Sequence, residues 1–322
     1  MKKRIVFLLK FLLSAGLITW LYSHVEVDDM LSIFRSIDYG VAPVIFALLL
    51  VNTVISSIKW RILLSADGID VPLRTLVMSY LVGTFFNLFL PSSIGGDAYR
   101  IYDITTYSQH PANAFASVIA DRFTGFVAMV ALGALAALSA HILLPDKSVL
   151  LPVLLAFTGI LMLIWALTRE RLLRWGMAVT HMGRVARIQG FFDRFMASIQ
   201  IYRRRPDVLI KVLGISVFFQ VTNIVCVSLM ARALHIEAPL LLFFVFVPLI
   251  DLLVALPISI YGLGVRDLSY VYFFGFAGVG ETEALSMALF YVGLTGVYAL
   301  SGAVIFVLRS RPGQDKSESH SL

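Results

Sequence analysis

The chain has 322 residues, 59% of them hydrophobic and 14% charged, with a net charge of +6 and a mean hydropathy of +0.88; a soluble domain carries about 25% charged residues. This excludes an ordinary soluble enzyme and fits an all-α polytopic membrane protein of about eight transmembrane or re-entrant helices, each span needing about 20 apolar residues. One cysteine, Cys226, cannot form an internal disulfide, and six histidines without ligand spacing point to no metal site and no cofactor.

In chain order, the basic head Lys2, Lys3 and Arg4 and the apolar run after it read as a retained first span over about residues 5–23, with Met1 in the cytoplasm. An acidic stretch then lies outside, and a second span over about residues 41–58 returns to "KWR" at 59–61 inside. Residues 73–90 are apolar enough to be immersed although both flanks are cytoplasmic. That predicts a re-entrant hairpin, broken from Pro91 to Gly96 and returning through "DAYRIYDITTY". Spans follow over about residues 112–141 and 148–167. Residues 168–211 carry ten basic and three acidic residues, which places them in the cytoplasm. Their apolar residues at helical spacing predict either an interfacial helix beside anionic headgroups or a solvated connecting helix. Beyond it lie a span over residues 209–233, two short apolar pieces at 240–257 and 267–279 (either two full spans or a second hairpin), and a last span over about residues 284–308. The membrane domain is expected over residues 1–308, with 309–322 a disordered cytoplasmic tail.

Two breaks share a spelling. "LPSSIGGDAYR" at 90–100 and "LPISIYGLGVR" at 256–266 agree at six of eleven offsets, and each follows an apolar helix and precedes a long span containing Thr-Gly. Opposite orientation of the two spans predicts an inverted repeat whose interrupted segments mark a substrate site. Pro91, Gly95 and Gly96, with Pro257, Gly262 and Gly264, release backbone groups that survive at membrane depth only beside a wet cavity or inside protein. Asp97, Arg100 and Asp103 flank the first break, Asp251, Arg266 and Asp267 the second, and Asp121-Arg122 lie inside a span. Intramembrane charges pair with one another or line a substrate path. The planar guanidinium fork suits phosphate and carboxylate, which makes Arg100, Arg122 and Arg266 candidate anion ligands, with Asn87, Asp97, Asp121 and Asp267 beside them. Structural ion pairs are the competing explanation for the same charges.

At these residues the sequence resembles the transmembrane, flippase-like region of the lysylphosphatidylglycerol synthases. The resemblance rests on "NLFLPSSIGGDAYRIY", "ASVIADRFTGF" and "LPISIYGLGVRDLSYVYFFGFAG" and covers about residues 5–308. Asp121 and Asp267 stand where the family commonly has Glu, and Tyr261 where a glycine is frequent. Nothing in the 322 residues matches the soluble aminoacyl-transferring domain, so synthase activity is not expected. The resemblance implies translocation of lipid between leaflets.

Three functions compete on this reading. The first is a translocator of an anionic phospholipid or lipid-linked intermediate in a bacterial cytoplasmic membrane. The second is a membrane enzyme acting on a lipid headgroup; it is disfavoured because "DAYRIYD" spaces its acids six apart. The third is a scaffold that recruits a cytoplasmic protein through residues 168–211. Nucleic acid is not an expected partner, because the basic excess sits in a loop where arginines alternate with apolar residues.

Overall fold

The computed structural model describes residues 2–23, 25–89, 94–105, 107, 111–140, 186–256, 259 and 262–309, with four isolated positions between 155 and 162. Among them are eleven α-helices: α1 Lys2–Tyr22, α2 Val27–Arg35, α3 Ala42–Ala66, α4 Leu73–Phe89, α5 Ile94–Ile104, α6 Pro111–Ala140, α7 Ala186–Arg204, α8 Pro206–Ala233, α9 Leu240–Ala255, α10 Val265–Gly275 and α11 Glu281–Arg309. The α3 helix with its leading turn, α6, α8 and α11 are long and apolar enough to cross a membrane, and shorter apolar helices run over Leu12–Tyr22, Leu73–Leu88 and Leu240–Ala255. The chain is thus an all-α polytopic membrane protein. The span expected over about 148–167, most of the basic segment before residue 186 and the tail after Arg309 lie outside the described residues.

Helix lengths repeat. A long helix, a shorter apolar one, a break, an eleven-residue helix and a second long helix occur as α3 to α6 and again as α8 to α11. Packing between the two sets is crossed: α3 lies on α8, while α4 packs on α11 and α9 on α6. Two of these crossed contacts, α4 on α11 and α9 on α6, use a glycine on the long helix. Gly302 of α11 admits the Leu81 carbonyl so closely that no side chain fits between them, and a Cβ on Gly133 of α6 would meet Pro248 Cβ of α9 at 3.3 Å. Small residues let backbones approach where lipid supplies no hydrophobic drive between helices.

Two apolar clusters flank this frame. The larger joins α6, α8, α9, α10 and α11 around Phe246 and Phe274, and another gathers Trp60, Leu64, Leu76, Ile104 and Val118 beneath the first break. Helix α7 is docked rather than free, because Tyr202 joins Leu63, Ala120 and Val212 in a buried cluster and Ser198 Oγ donates to Asp67 at 2.8 Å.

Candidate functional site

Helices α4 and α5 pack against each other as the expected hairpin, with the gap between them at residues 90–93. Pro91 lies outside the described residues, and so does Pro257. Gly95 and Gly96, expected to form the turn, stand instead in the first turn of α5. Gly96 is there for closeness: a Cβ on it would collide with the Gly83 carbonyl of α4 and lie 2.7 Å from Asn87 Oδ1. Asn87 accepts the Gly96 N–H at 2.7 Å, a donor that the start of a helix leaves without an internal partner.

The buried charges around this hairpin form one network. Asp121 of α6 receives Lys59 Nζ at 2.8 Å, Arg100 Nη2 at 2.9 Å and the Tyr80 hydroxyl at 2.6 Å. Lys59 also donates to the Asp121 carbonyl at 3.0 Å. The Arg100 guanidinium sits in the corner made by the perpendicular rings of Trp60 and Tyr80, its carbon 4.1 Å from the first centroid and 3.8 Å from the second. A guanidinium against aromatic rings keeps favourable electrostatics without water. Asp97 bridges two arginines, taking Arg100 Nη1 at 3.2 Å and Arg122 Nε and Nη2 at 2.8 and 3.1 Å. Among the described residues the network joins three cations, Lys59, Arg100 and Arg122, to two carboxylates, Asp97 and Asp121. Lys59, Arg100 and Asp121 are sealed, whereas the Arg122 side chain is 41% exposed.

Asp103 ties the far end of α5 to the last turn of α11 through a two-pronged pair with Arg309, at 3.1 and 3.2 Å. Phe86, Tyr99 and Phe306 pack as three rings just inside it.

The second break is built differently. Gly262 and Gly264 have φ of 75° and 78°, the left-handed region that only glycine enters without strain. Arg266 and Asp267 follow at the very start of α10, whereas Arg100 lies in the middle of α5. Asp267 caps its own helix, accepting the Gly264 N–H at 2.8 Å, and takes the Tyr22 hydroxyl of α1 at 3.4 Å. Arg266 is buried with its guanidinium carbon 5.0 Å from the Tyr291 ring centroid. Asp251 of α9 accepts from Asn223 at 3.1 Å. Of the expected site residues, the structure therefore gathers Asn87, Asp97, Arg100, Asp121 and Arg122 at the first break, and keeps Arg266 and Asp267 apart from them at the second.

Lys59, Trp60 and Tyr80 were not among the expected site residues. "KWR" marks the end of a span by its charge, yet α3 continues to Ala66 and Lys59 turns inward, with Arg61 alone outside. A usable signal was the stripe Asn52, Ser56 and Lys59, polar residues at helical spacing in an otherwise apolar helix. That stripe continues across the bundle, where Asn52 receives the Thr222 hydroxyl of α8 and Gln220 donates to the Gly125 carbonyl of α6 at 3.3 Å.

Comparison with known proteins gives the family. The family described as "Lysylphosphatidylglycerol synthase TM region" matches residues 7–302, and the chain belongs to that family. It is also similar to a "UPF0104 membrane protein" from Methanothermobacter thermautotrophicus, at 26% identity over 244 residues, 70% of this chain and 72% of the relative.

Proposed function

We propose that the protein translocates an anionic phospholipid, or a lipid-linked intermediate with a phosphate headgroup, between the leaflets of a bacterial cytoplasmic membrane, with both termini in the cytoplasm. The observation that carries this reading is the partly exposed Arg122 guanidinium at the first break, joined through Asp97 to the sealed Arg100. An arginine fork beside a break in an apolar helix suits an arriving phosphate diester.

Asp97 supplies the mechanism of capture. It holds Arg122 and Arg100 together, so Arg122 can exchange its two carboxylate contacts for a phosphate while Arg100 keeps Asp97 and Asp121. The planar fork serves either acceptor with the same geometry. Lys59, Tyr80 and Trp60 hold Arg100 and Asp121 in place during the exchange. The repeated helix pattern supports an inverted repeat, and its crossed packing supports alternating access by units that exchange helices between the two halves.

The test is reconstitution into vesicles with fluorescently tagged phosphatidylglycerol in one leaflet, followed by chemical quenching from outside. Wild-type protein is expected to make the protected lipid accessible within the assay, and Arg122→Gln to slow this by about tenfold, the loss of one charge-assisted contact. Wild-type vesicles no leakier to lipid than empty ones, across anionic and zwitterionic cargo, would refute the reading.

A further inference from the structure

The second break holds a carboxylate that the capture of phosphate does not use. Asp251 lies in α9, whose sixteen residues "LLLFFVFVPLIDLLVA" contain no other charged side chain. It is half-buried, while Val247 and Ile250 on the same helix are buried. A carboxylate at membrane depth is costly unless it is paired or takes a proton.

Helices α6, α8 and α10 pack on α9, and each brings a different environment. From α8 the Asn223 amide donates to Asp251 Oδ2 at 3.1 Å, and Cys226 is the one titratable residue of that helix between Lys211 and Arg232. From α10 comes Arg266, close enough to act on the carboxylate electrostatically, with Asp267 and Tyr270 in the same cluster. Tyr291 of α11 lies over Arg266. Past Arg122, α6 has no titratable side chain.

Asp251 also joins two packing units. Helix α9 lies against α6, where a Cβ on Gly133 would meet Pro248 at 3.3 Å, so Asp251 belongs with the helix that carries Asp121 and Arg122. Asn223 belongs to α8, which packs along α3. The Asp251–Asn223 bond therefore ties the α6–α9 pair to the α3–α8 pair, as Lys59–Asp121 does farther along. Asn52, which receives the hydroxyl of Thr222 next to Asn223, precedes Lys59 on α3 by a rise of about 10 Å at ~1.5 Å per residue, and that rise separates the two ties.

We infer that Asp251 is a proton-binding site that couples lipid movement to a proton gradient, one proton crossing with each anionic headgroup. The inference rests on the translocation reading for its cargo and goes beyond it in naming the coupling ion. Ionised Asp251 accepts a charge-assisted bond from Asn223 and holds α9 to α8. A proton delivered by water forms the O–H bond of a carboxylic acid and roughly halves the strength of that tie. It returns to water when the site opens on the other side, so no other reactant is consumed. Phosphate draws Arg122 of α6 from Asp97 of the first hairpin, the proton loosens α9 from α8, and the α6–α9 pair is released on both sides only when both are bound. A unit that gains one phosphate diester and one proton gains no net charge, so the membrane potential neither drives nor opposes its movement.

The experiment places the full chain in vesicles clamped at zero potential with potassium and valinomycin, with tagged phosphatidylglycerol in the bilayer and a pH-sensitive dye inside. Wild type is expected to concentrate the tagged lipid in the leaflet toward which protons flow, about tenfold for a pH difference of about one unit at one proton per lipid, with the dye reporting proton entry. Asp251→Asn, with thermal stability equal to wild type, should lose both the asymmetry and the dye signal, and Asp251→Glu should restore part of each. Infrared difference spectra of the lipid-free protein, recorded as pH is lowered, read the site itself: wild type should show a protonated-carboxyl band that Asp251→Asn lacks and Asp251→Glu shifts. Asymmetry that persists in Asp251→Asn, wild type that moves lipid to equal leaflets whatever the gradient, or a carboxyl band unchanged by both substitutions overturns the inference. The first two of these leave the translocation reading standing. Wild type that moves no lipid refutes that reading and the coupling with it, while the infrared band still decides the proton site.

Discussion

Replacing Asp121 by Asn should destabilise the fold by about 3 kcal/mol. The carboxylate is buried and receives a lysine, an arginine and a tyrosine hydroxyl at 2.8, 2.9 and 2.6 Å, all three from side chains on other helices. Breaking a buried pair by removing one partner costs about 3–5 kcal/mol, because the remaining charge stays in a poor solvent. Two cations are left here, which argues for the upper end of that range. Both keep something, however. Lys59 retains the residue-121 carbonyl, and Arg100 retains Asp97 and its two aromatic neighbours, which argues for the lower end. Denaturation by sodium dodecyl sulfate in mixed micelles, followed by tryptophan fluorescence, measures the difference, and Trp60 reports from within the network. The double variant Lys59→Met with Asp121→Asn removes one cation along with the anion. It should recover at least about 1 kcal/mol relative to Asp121→Asn, a coupling of the size expected for residues in one ion-pair network. If Asp121→Asn lies within about 0.5 kcal/mol of wild type, or the double variant is no better than the single one, the network is not the buried electrostatic lock described here.

Three further outcomes follow from the packing. Gly302→Leu puts a side chain where the Leu81 carbonyl lies, and should cost roughly 3 kcal/mol or prevent assembly, as severe overpacking does; Gly293→Ala, whose Cβ would meet nothing within 4 Å, should be neutral in the same unfolding assay. Asn87→Ala leaves the Gly96 N–H without its acceptor and should cost about 1–2 kcal/mol, with faster protease cleavage near residue 91 as the readout. Arg309→Ala removes a partly exposed pair with Asp103 and should change stability by less than about 1 kcal/mol, while raising the lipid-transfer rate if that pair restrains the hairpin.

Much of this architecture is legible in the chain because hydrocarbon is an unforgiving solvent. Apolar length fixes which segments are helices, and a Pro-Gly-rich interruption marks a break wherever it falls, so the two breaks and most of the long spans stand out by inspection. The residue-level roles are less legible, since they depend on what arrives from elsewhere. Gly95 and Gly96 are spelled like a turn and serve as a helix contact, because α4 happens to pass at Gly83. Lys59 is spelled like a membrane-edge anchor and serves as an internal counter-ion, because Asp121 lies within reach on α6. Charge counting cannot separate those cases: a lysine near the end of an apolar run snorkels outward or turns inward according to a partner more than sixty positions away in sequence. Trp60 and Tyr80 carry no mark at all in sequence, being two aromatic residues among many.

The crossed packing bears on how the halves can move. If each half were a body of its own, α4 and α5 would travel with α3 and α6. The close contacts say otherwise. Helix α4 meets α11 at Gly302 without room for a side chain, and Asp103 of the same hairpin is paired to Arg309 of α11. On the other side α9 lies against α6 at Gly133. Gly302 meets the Leu81 backbone and Gly133 meets the stiff ring of Pro248, so neither contact has a flexible side chain to absorb a shift, and displacement of the first hairpin carries α11 with it, and displacement of α9 carries α6. What joins those exchanged units along the centre is the α3–α8 pair, where the bonds are between side chains that can re-form, Asn52 with Thr222 above all. The network at Asp121 crosses this division, since Arg100 belongs to the hairpin and Asp121 to α6. On the proposed function, a phosphate that draws Arg122 from Asp97 would act where ion pairs among the described residues join the two exchanged units, so capture of the headgroup would also loosen the units.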